Sequence, residues 1–591
     1  MNSPNPALVS QREAEPLPRL ALLVLCAAYV LPGLVGRDPW KSADITSFGY
    51  SVGIASGRTG WLAPTVGGLP ADGALLPYWI GAAFVRMLSP LVDPIVAARI
   101  PFALLLALAL SFTWYAAYHL ARSESAQPLP FAFGGEAAPV DYARAIADGA
   151  VLALIASLGL LQLGHETTPE LVQLAAVALY LYGLAAGLAK PMRGGALAAL
   201  ALVVLAASGA PSVAMLLAAI GAVTAPRRHA TPAPTPIPTS PAPLPASSAP
   251  RTRETTLALA WLAIGALLAA GIATALGAWA NRLGSYANPA QVLALLRQIG
   301  WFAWPSWLLV VWTLWQWRKQ LASWHIVVPL AVSATLLAAW LAMAGSDRAL
   351  MLALPALAVL AAFALPTLQR SAAAAIDWFS VFFFTIAVAT GWVFYVAMQT
   401  GTPAKLAANV AKLSPGYANV FSWPGLVLAL AGTLAWLWLV RWRTGRNRHP
   451  LWKSLVLPAG GVSVCFLLVM TLLLPPLDNA RSYRAMMQRI ARIVPAGACI
   501  AAPGMARPQV VALEYFGGWR VDATERASAS NCEFLMLTRA RERPPPAWQF
   551  VVRERRNRAD DDATDIYRRV APVEAKAVQA PAIGERRPRH G

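Results

Sequence analysis

Charged side chains make up only 13% of this 591-residue chain. Arg37, Asp38, Lys41, Asp44, Arg58 and Asp72 nevertheless gather in one stretch. A carboxylate in such a group can act as a general base toward a hydroxyl acceptor, or hold a metal ion or a cationic sugar. Two smaller groups follow, His165-Glu166 and Asp347-Arg348. For each, the plain alternative is a solvated loop whose charges avoid lipid.

The elements that must position these groups are apolar. The chain is 57% hydrophobic, with a mean hydropathy of +0.52. Apolar runs occupy residues 20–36, 95–118, 147–163, 169–188, 195–208, 211–224, 257–279, 299–317, 324–343, 349–368, 375–398, 421–440 and 453–474. In lipid the backbone must satisfy its own hydrogen bonds, and no period-2 alternation favours a barrel, so the runs are expected as about thirteen transmembrane helices. The expected class is an all-α polytopic membrane protein with a small C-terminal α/β extramembrane domain. The first run ends in LPGLVG, without a small-residue cleavage site, and reads as a retained helix.

Charge sets the orientation. With residues 1–19 inside as a cytoplasmic arm, Arg122, Lys190, Arg193, Arg227, Arg228, Arg251, Arg253, Arg318, Lys319, Arg370, Arg441, Arg443, Arg446 and Arg448 fall on the cytoplasmic side, as the positive-inside rule requires. This needs residues 195–224 to form two short spans, broken at Ser208-Gly209-Ala210-Pro211. It also needs residues 74–91 to lie on the outer surface. The membrane domain then covers 20–475, with 37–94 as a first periplasmic loop, 225–256 as a disordered cytoplasmic linker and 399–420 outside. A periplasmic α/β domain, 476–591, ends in a loose tail. Within it residues 480–494 have helical spacing; CIAAP, QVVALEYF and EFLMLT read as strands, with WQFVVRER as a further candidate. The location implied is a bacterial-type inner membrane.

The formal net charge of +20 does not indicate nucleic acid. The basic residues sit in short clusters between apolar runs, and no nucleic-acid-binding motif accompanies them. Cys26 and Cys465 lie in apolar runs as packing residues, whereas Cys499 and Cys532 can pair if the tail faces an oxidising compartment.

The first loop also carries a series of short motifs: Gly36-Arg37, Pro39-Trp40, Asp44, Thr59-Gly60-Trp61-Leu62-Ala63-Pro64, Gly67-Gly68, Asp72, Tyr78-Trp79 and Ala98-Arg99-Ile100-Pro101. In order and spacing it resembles the first periplasmic loop of GT-C glycosyltransferases. The closest resemblance is to the lipid A aminoarabinose transferases and bacterial protein mannosyltransferase-like proteins. Weaker matches follow at Gly164–Leu171, Gly194–Pro211 and Ser346-Asp347-Arg348.

The resemblance implies transfer of a sugar from a polyprenyl-phosphate donor to a lipid, glycan or protein acceptor at the periplasmic face. Asp44 and Asp72 are then the catalytic candidates. Arg58, Arg99, Arg348, His165, Glu166 and Tyr78 are the substrate-binding candidates. No cofactor is required; a divalent metal is compatible, with Asp72 and His165 as weaker ligand candidates. If Asp44 is the catalytic carboxylate, it is expected to face an outer cavity shared with Asp72 and one of these arginines. Asp44→Asn is then expected to stop transfer without affecting folding.

The departures are specific. One acid of the family's D-E pair remains, Ala43-Asp44; the E-K-P-P box reads Asp72-Gly73-Ala74-Leu75; and Ser208-Gly209-Ala210-Pro211 lacks the lysine of K-G-P. Two alternatives therefore stand beside the enzyme. One is a catalytically silent relative acting as a binding or assembly subunit. The other is a transporter or flippase, against which stand the lack of internal repeats and the near absence of charge within the spans.

Overall fold

The computed structural model describes residues 6–40, 42–224, 249–279, 289–413, 419–444, 450–524, 530–538, 547–556 and 563–570. It divides into two compact units, Met1–Val66 with Pro70–Ser482, and Gly67–Leu69 with Tyr483–Gly591.

The first unit is helical, and the chain is a multi-pass membrane protein. Eight of its helices are long and apolar enough to cross a bilayer: Pro94–Ala121, Pro169–Ala186, Thr255–Ala275, Trp324–Ala342, Asp347–Thr367, Arg370–Thr400, Trp423–Thr444 and Lys453–Thr471. Four shorter apolar helices accompany them, Arg19–Val30, Leu75–Leu88, Pro191–Ala207 and Pro211–Thr224. Every apolar run of the sequence is thus mainly helical, but not every run is one helix. The run 299–317 is split into Pro289–Phe302 and Ser306–Gln316. Pro305 stands in the gap, where it lacks an N–H and restricts the residue before it. The segment 195–224 breaks at Gly209, whose φ of +88° lies in the left-handed region. Leu75–Leu88 has 14 residues, about 21 Å of helix against a hydrocarbon core of about 30 Å, which is too short to cross upright.

One expectation changes here. The linker 225–256 cannot all be unstructured, because a helix already begins at Ala249, with Pro250 in the first turn where its missing N–H costs nothing. Residues 225–248 lie outside the described residues. The N-terminal arm is docked: Ala7, Val9, Ala14 and Leu17 are buried. Leu451 N donates to Glu13 O at 2.9 Å and Trp452 Nε1 to Glu15 O at 2.8 Å.

The second unit is a five-stranded sheet. Its order is Arg520–Asp522, Cys499–Ala501, Phe534–Thr538, Ala563–Arg569, Trp548–Arg555. Cys499–Ala501 pairs in parallel with both Arg520–Asp522 and Phe534–Thr538. A parallel neighbour needs a crossover, and the helix Arg507–Tyr515 supplies it. QVVALEYF is therefore helix and not strand; its short apolar run, with buried Val510, Val511 and Leu513, fits either period. The strands Arg520–Asp522 and Ala563–Arg569 were not legible. Cys499 and Cys532 form a disulfide with Cα atoms 4.8 Å apart. The loose tail expected over the last roughly twenty residues lies outside the described residues.

Gly67–Leu69 belongs to this second unit. Ala523 N donates to Gly67 O at 2.8 Å, and Gly67 N donates to Glu514 Oε1 at 2.9 Å. Gly67 has a φ of +54°, and a Cβ there would meet Val510 Cγ1 at 2.5 Å. A side chain is excluded twice, by conformation and by space.

Candidate active site

The site is built around the first turn of the helix Ala43–Ala55, which carries Asp44. A carboxylate there faces the positive end of the helix dipole. Asp44 is 1% exposed. Its Oδ1 accepts from Thr167 N at 2.8 Å and from Thr167 Oγ1 at 2.7 Å. Its Oδ2 accepts from Trp40 N at 3.0 Å, with Arg37 Nη2 at 3.5 Å and Arg99 Nη2 at 3.9 Å. Burial alone would push its pKa up. Arg37, Arg99 and the Thr167 hydrogen bonds outweigh burial and hold it below the ordinary value, so the group stays ionised.

The surrounding cations are fixed by backbone. Arg99 donates to Arg37 O and, at 2.8 Å, to Asp38 O. Arg37 Nη2 donates to His165 O at 2.7 Å. The Trp40 ring meets two guanidinium groups, Arg37 at 4.7 Å and Arg481 at 4.9 Å from its centroid. The short helix Leu474–Arg481 anchors this segment: Asp478 Oδ1 accepts from Trp40 Nε1 at 2.7 Å and Asp38 N at 2.9 Å. Burial and the neighbouring Asp38 push the Asp478 carboxyl up to about 6.

A second carboxylate stands beside the first. Glu166, 2% exposed, accepts from Gln162 Nε2 at 3.0 Å and from Arg348 Nη2 at 2.5 Å. Burial raises its pKa, the Asp44 charge adds to the rise, and Arg348 opposes it. Arg348 also reaches Glu170 Oε2 at 3.5 Å. Two neighbouring acids are thus driven in opposite directions, which is how one site separates proton-donor from proton-acceptor roles.

Beside Asp347-Arg348 lies a cavity of about 400 Å³. Leu158, Trp301 and Phe302 form apolar wall, and Arg297, Gln298 and Asp347 supply the polar groups. Arg297 is exposed and makes no hydrogen bond or ion pair among the described residues. Gln298 Nε2 donates to Gly345 O at 2.8 Å and also to Asp347.

Of the residues singled out from sequence, the structure brings Asp44, Arg99, His165, Glu166 and Arg348 together. Asp72, Arg58 and Tyr78 are not among the groups described around Asp44. Asp72 and Arg58 are exposed, and neither is among the partners of Asp44. Arg58 Nε donates to Ser56 Oγ at 3.1 Å. Tyr78 is buried against Tyr50, ring centroids 4.9 Å apart. Asp44 is enclosed by donors, and a separate cavity opens at Arg297.

His165 sits between two backbone carbonyls. Its Nδ1 and Nε2 lie 2.8 Å from the carbonyls of Leu161 and Tyr29. Burial lowers its pKa to about 4. A neutral ring donates to only one of those carbonyls. Among the described residues no group of three or more His, Cys, Asp or Glu side chains is placed to hold a metal ion, so Asp72 and His165 do not form a ligand set there.

Sequence reasoning assigned no site role to Arg37, Trp40, Gln162, Thr167, Glu170, Arg297, Asp478 or Arg481. For Arg37 and Trp40 the signal was present, in the motifs Gly36-Arg37 and Pro39-Trp40. For Arg297 there was none, since it is one polar residue on an amphipathic helix.

No protein-family model matches the chain, and no curated protein matches it. Solved structures do. One is ArnT from Cupriavidus metallidurans bound to undecaprenyl phosphate, 14% identical, with a TM-score of 0.58 over 94% of this chain and 97% of that one. Another is ArnT from the same organism in the apo state, 13% identical, with a TM-score of 0.56 over 93% and 96%. The fold is that of ArnT. The likeness of fold and the motif series of the first loop point the same way, although they rest on different observations. The ArnT fold covers both units of the chain, so the C-terminal sheet is part of the shared architecture.

Proposed function

We propose that the chain is a membrane glycosyltransferase taking a sugar from a polyprenyl-phosphate donor at the periplasmic face. The observation that carries this is the cavity beside Arg348. It joins Arg297, a guanidinium without a partner among the described residues, to a wall of Trp301, Phe302 and Leu158. That combination suits a phosphate carrying a long apolar tail. The ArnT fold, met in a protein bound to undecaprenyl phosphate, supports the same reading.

In this reading the donor enters from lipid and its phosphate meets Arg297. The acceptor hydroxyl attacks the anomeric carbon, the carbon–oxygen bond to phosphate breaks, and polyprenyl phosphate leaves with the bonding electrons. The hydroxyl proton passes to a carboxylate. Asp44 remains the leading candidate. Its contacts with Arg37 and Arg99, at 3.5 and 3.9 Å, are long, and they are the ones an acceptor would displace. Glu166 orients Arg348 toward the site. The sugar and the acceptor are left open. A divalent metal is not needed for these steps, because the arginines supply the positive charge.

The test is transfer by purified protein in nanodiscs. Labelled polyprenyl-phosphate sugars are offered with lipid A, other lipids and peptides as acceptors. Movement of label to an acceptor supports the reading. Absence of transfer from every donor, with retained binding of polyprenyl phosphate, favours the second reading, a silent relative that binds the lipid. One observation already favours that second reading: both oxygens of Asp44 are engaged, and its side chain is closed to solvent.

A further inference from the structure

The connection between the spans Arg370–Thr400 and Trp423–Thr444 carries a short helix, Ala404–Leu413. Its sequence, AKLAANVAKL, is two-faced. Leu406, Ala407 and Val410 are half-buried, and the helix packs against the preceding span. Lys405, Asn409 and Lys412 are exposed. Lys405 and Lys412 are seven residues apart, about two turns, so they project from one face. Neither lysine makes an ion pair or hydrogen bond among the described residues.

The end of the connection is aromatic. Phe421 and Trp423 are 46% and 70% exposed, with rings edge to face at 5.0 Å. Asn419 donates to Met398 O, which ties the connection back to the end of the preceding span. Exposed aromatics beside a span end mark the level of lipid headgroups.

The lysines are the anomaly. In the orientation set by charge this connection is outside, while most basic clusters of the membrane region are inside. Arg37 and Arg348, also outside, each ion-pair with a carboxylate. Lys405 and Lys412 do not. A cationic amphipathic helix with an aromatic neighbour is the pattern of a segment lying in the interface against anionic headgroups.

We propose that Ala404–Leu413, with Phe421 and Trp423, is a docking surface for phosphate-bearing anionic lipid headgroups of the outer leaflet. This rests on the orientation and not on the transferase reading. Leu406 and Val410 enter the acyl boundary, and Lys405 and Lys412 meet the phosphates.

The test uses the full-length protein. It is equilibrated with an equimolar mixture of phosphatidylglycerol and phosphatidylcholine, and bound lipids are counted by native mass spectrometry. The wild type is expected to retain phosphatidylglycerol preferentially. K405Q/K412Q is expected to lose roughly thirtyfold of that preference, since each lysine near an anionic surface contributes about 1 kcal/mol. Raising salt from about 50 to about 500 mM should erode the wild-type preference in the same direction. A preference unchanged by both the double substitution and salt overturns the proposal. So does disulfide cross-linking of two A408C copies in the membrane, which would show the face covered by a second chain. Labelling of N409C from the cytoplasmic side alone overturns the outer-leaflet assignment. Failure of sugar transfer, with lipid preference intact, sinks only the transferase reading.

Discussion

The Asp44 cluster and the Arg297 cavity are built on opposite principles. Asp44 is closed off, and its carboxylate faces Thr167, Trp40 N–H, Arg37 and Arg99. Arg297 is open, beside about 400 Å³ of largely apolar space. Removing a partner from a closed cluster leaves a buried charge uncompensated, which is costly. Removing an exposed cation leaves the fold alone and changes only what it binds. The first region therefore couples function to stability, and the second separates them.

The largest effect tests the closed side. Asp44→Asn should lower transfer by about 10²–10⁴-fold, the usual worth of a general base. It should also destabilise the protein, contrary to what the sequence alone suggested. With the Asn oxygen kept toward Thr167, the new amide NH₂ points at Trp40 N–H and Arg37, so donor meets donor. Two guanidinium groups also lose their buried counter-charge. Breaking a buried pair costs about 3–5 kcal/mol, which thermal melting in detergent will detect. Full transfer with an unchanged melting temperature would show that Asp44 is neither base nor keystone.

The next effect tests the open side. Arg297→Gln should weaken polyprenyl-phosphate binding by roughly tenfold to a hundredfold, the worth of one charge-assisted hydrogen bond of about 1.5–3 kcal/mol. Its melting temperature should match the wild type. Undiminished binding of a labelled polyprenyl phosphate would move the phosphate site elsewhere. A loss of stability comparable to that of Asp44→Asn would dissolve the contrast between the two regions.

This contrast also explains what the sequence could and could not reveal. Asp44 stood out because it is the acid left in a two-residue motif, and Arg99 because Ala98–Pro101 repeats a recognisable pattern. Glu166 and Arg348 were found for a similar reason, in the weaker matches at Gly164–Leu171 and Ser346-Asp347-Arg348. Their mutual pairing was not visible, because 182 residues separate them. Arg297 stayed hidden because its meaning comes from the cavity. The helices were legible from apolar run length, but their breaks only where Pro and Gly coincided. In the C-terminal unit the crossover helix Arg507–Tyr515 was missed because only sheet order demands it.

The smallest effect concerns acid. His165 lies between the closed cluster and the core, packed against Tyr29 and Phe466 at 5.4 and 4.3 Å between ring centroids. Burial is the main cause of its lowered pKa, about 4 in the fold against an ordinary 6.5. In the unfolded chain it takes up a proton near pH 6.5, while in the folded chain it resists until about pH 4. Between those values the unfolded state binds more protons, so stability falls as pH falls; below the lower value this loss levels off. Asp44 adds a separate decline at lower pH. Its stabilising charge is present above the ordinary carboxylate value and is lost as pH drops through its depressed one. His165→Phe keeps an aromatic ring against Tyr29 and Phe466 and removes the titrating nitrogens. The variant should be somewhat less stable at neutral pH, having lost a bond to a carbonyl, yet its melting temperature should decline less steeply from pH 6.5 to pH 4. An identical slope in both proteins would mean that His165 is already solvated in the fold. The acid sensitivity of this region would then belong to the carboxylates alone.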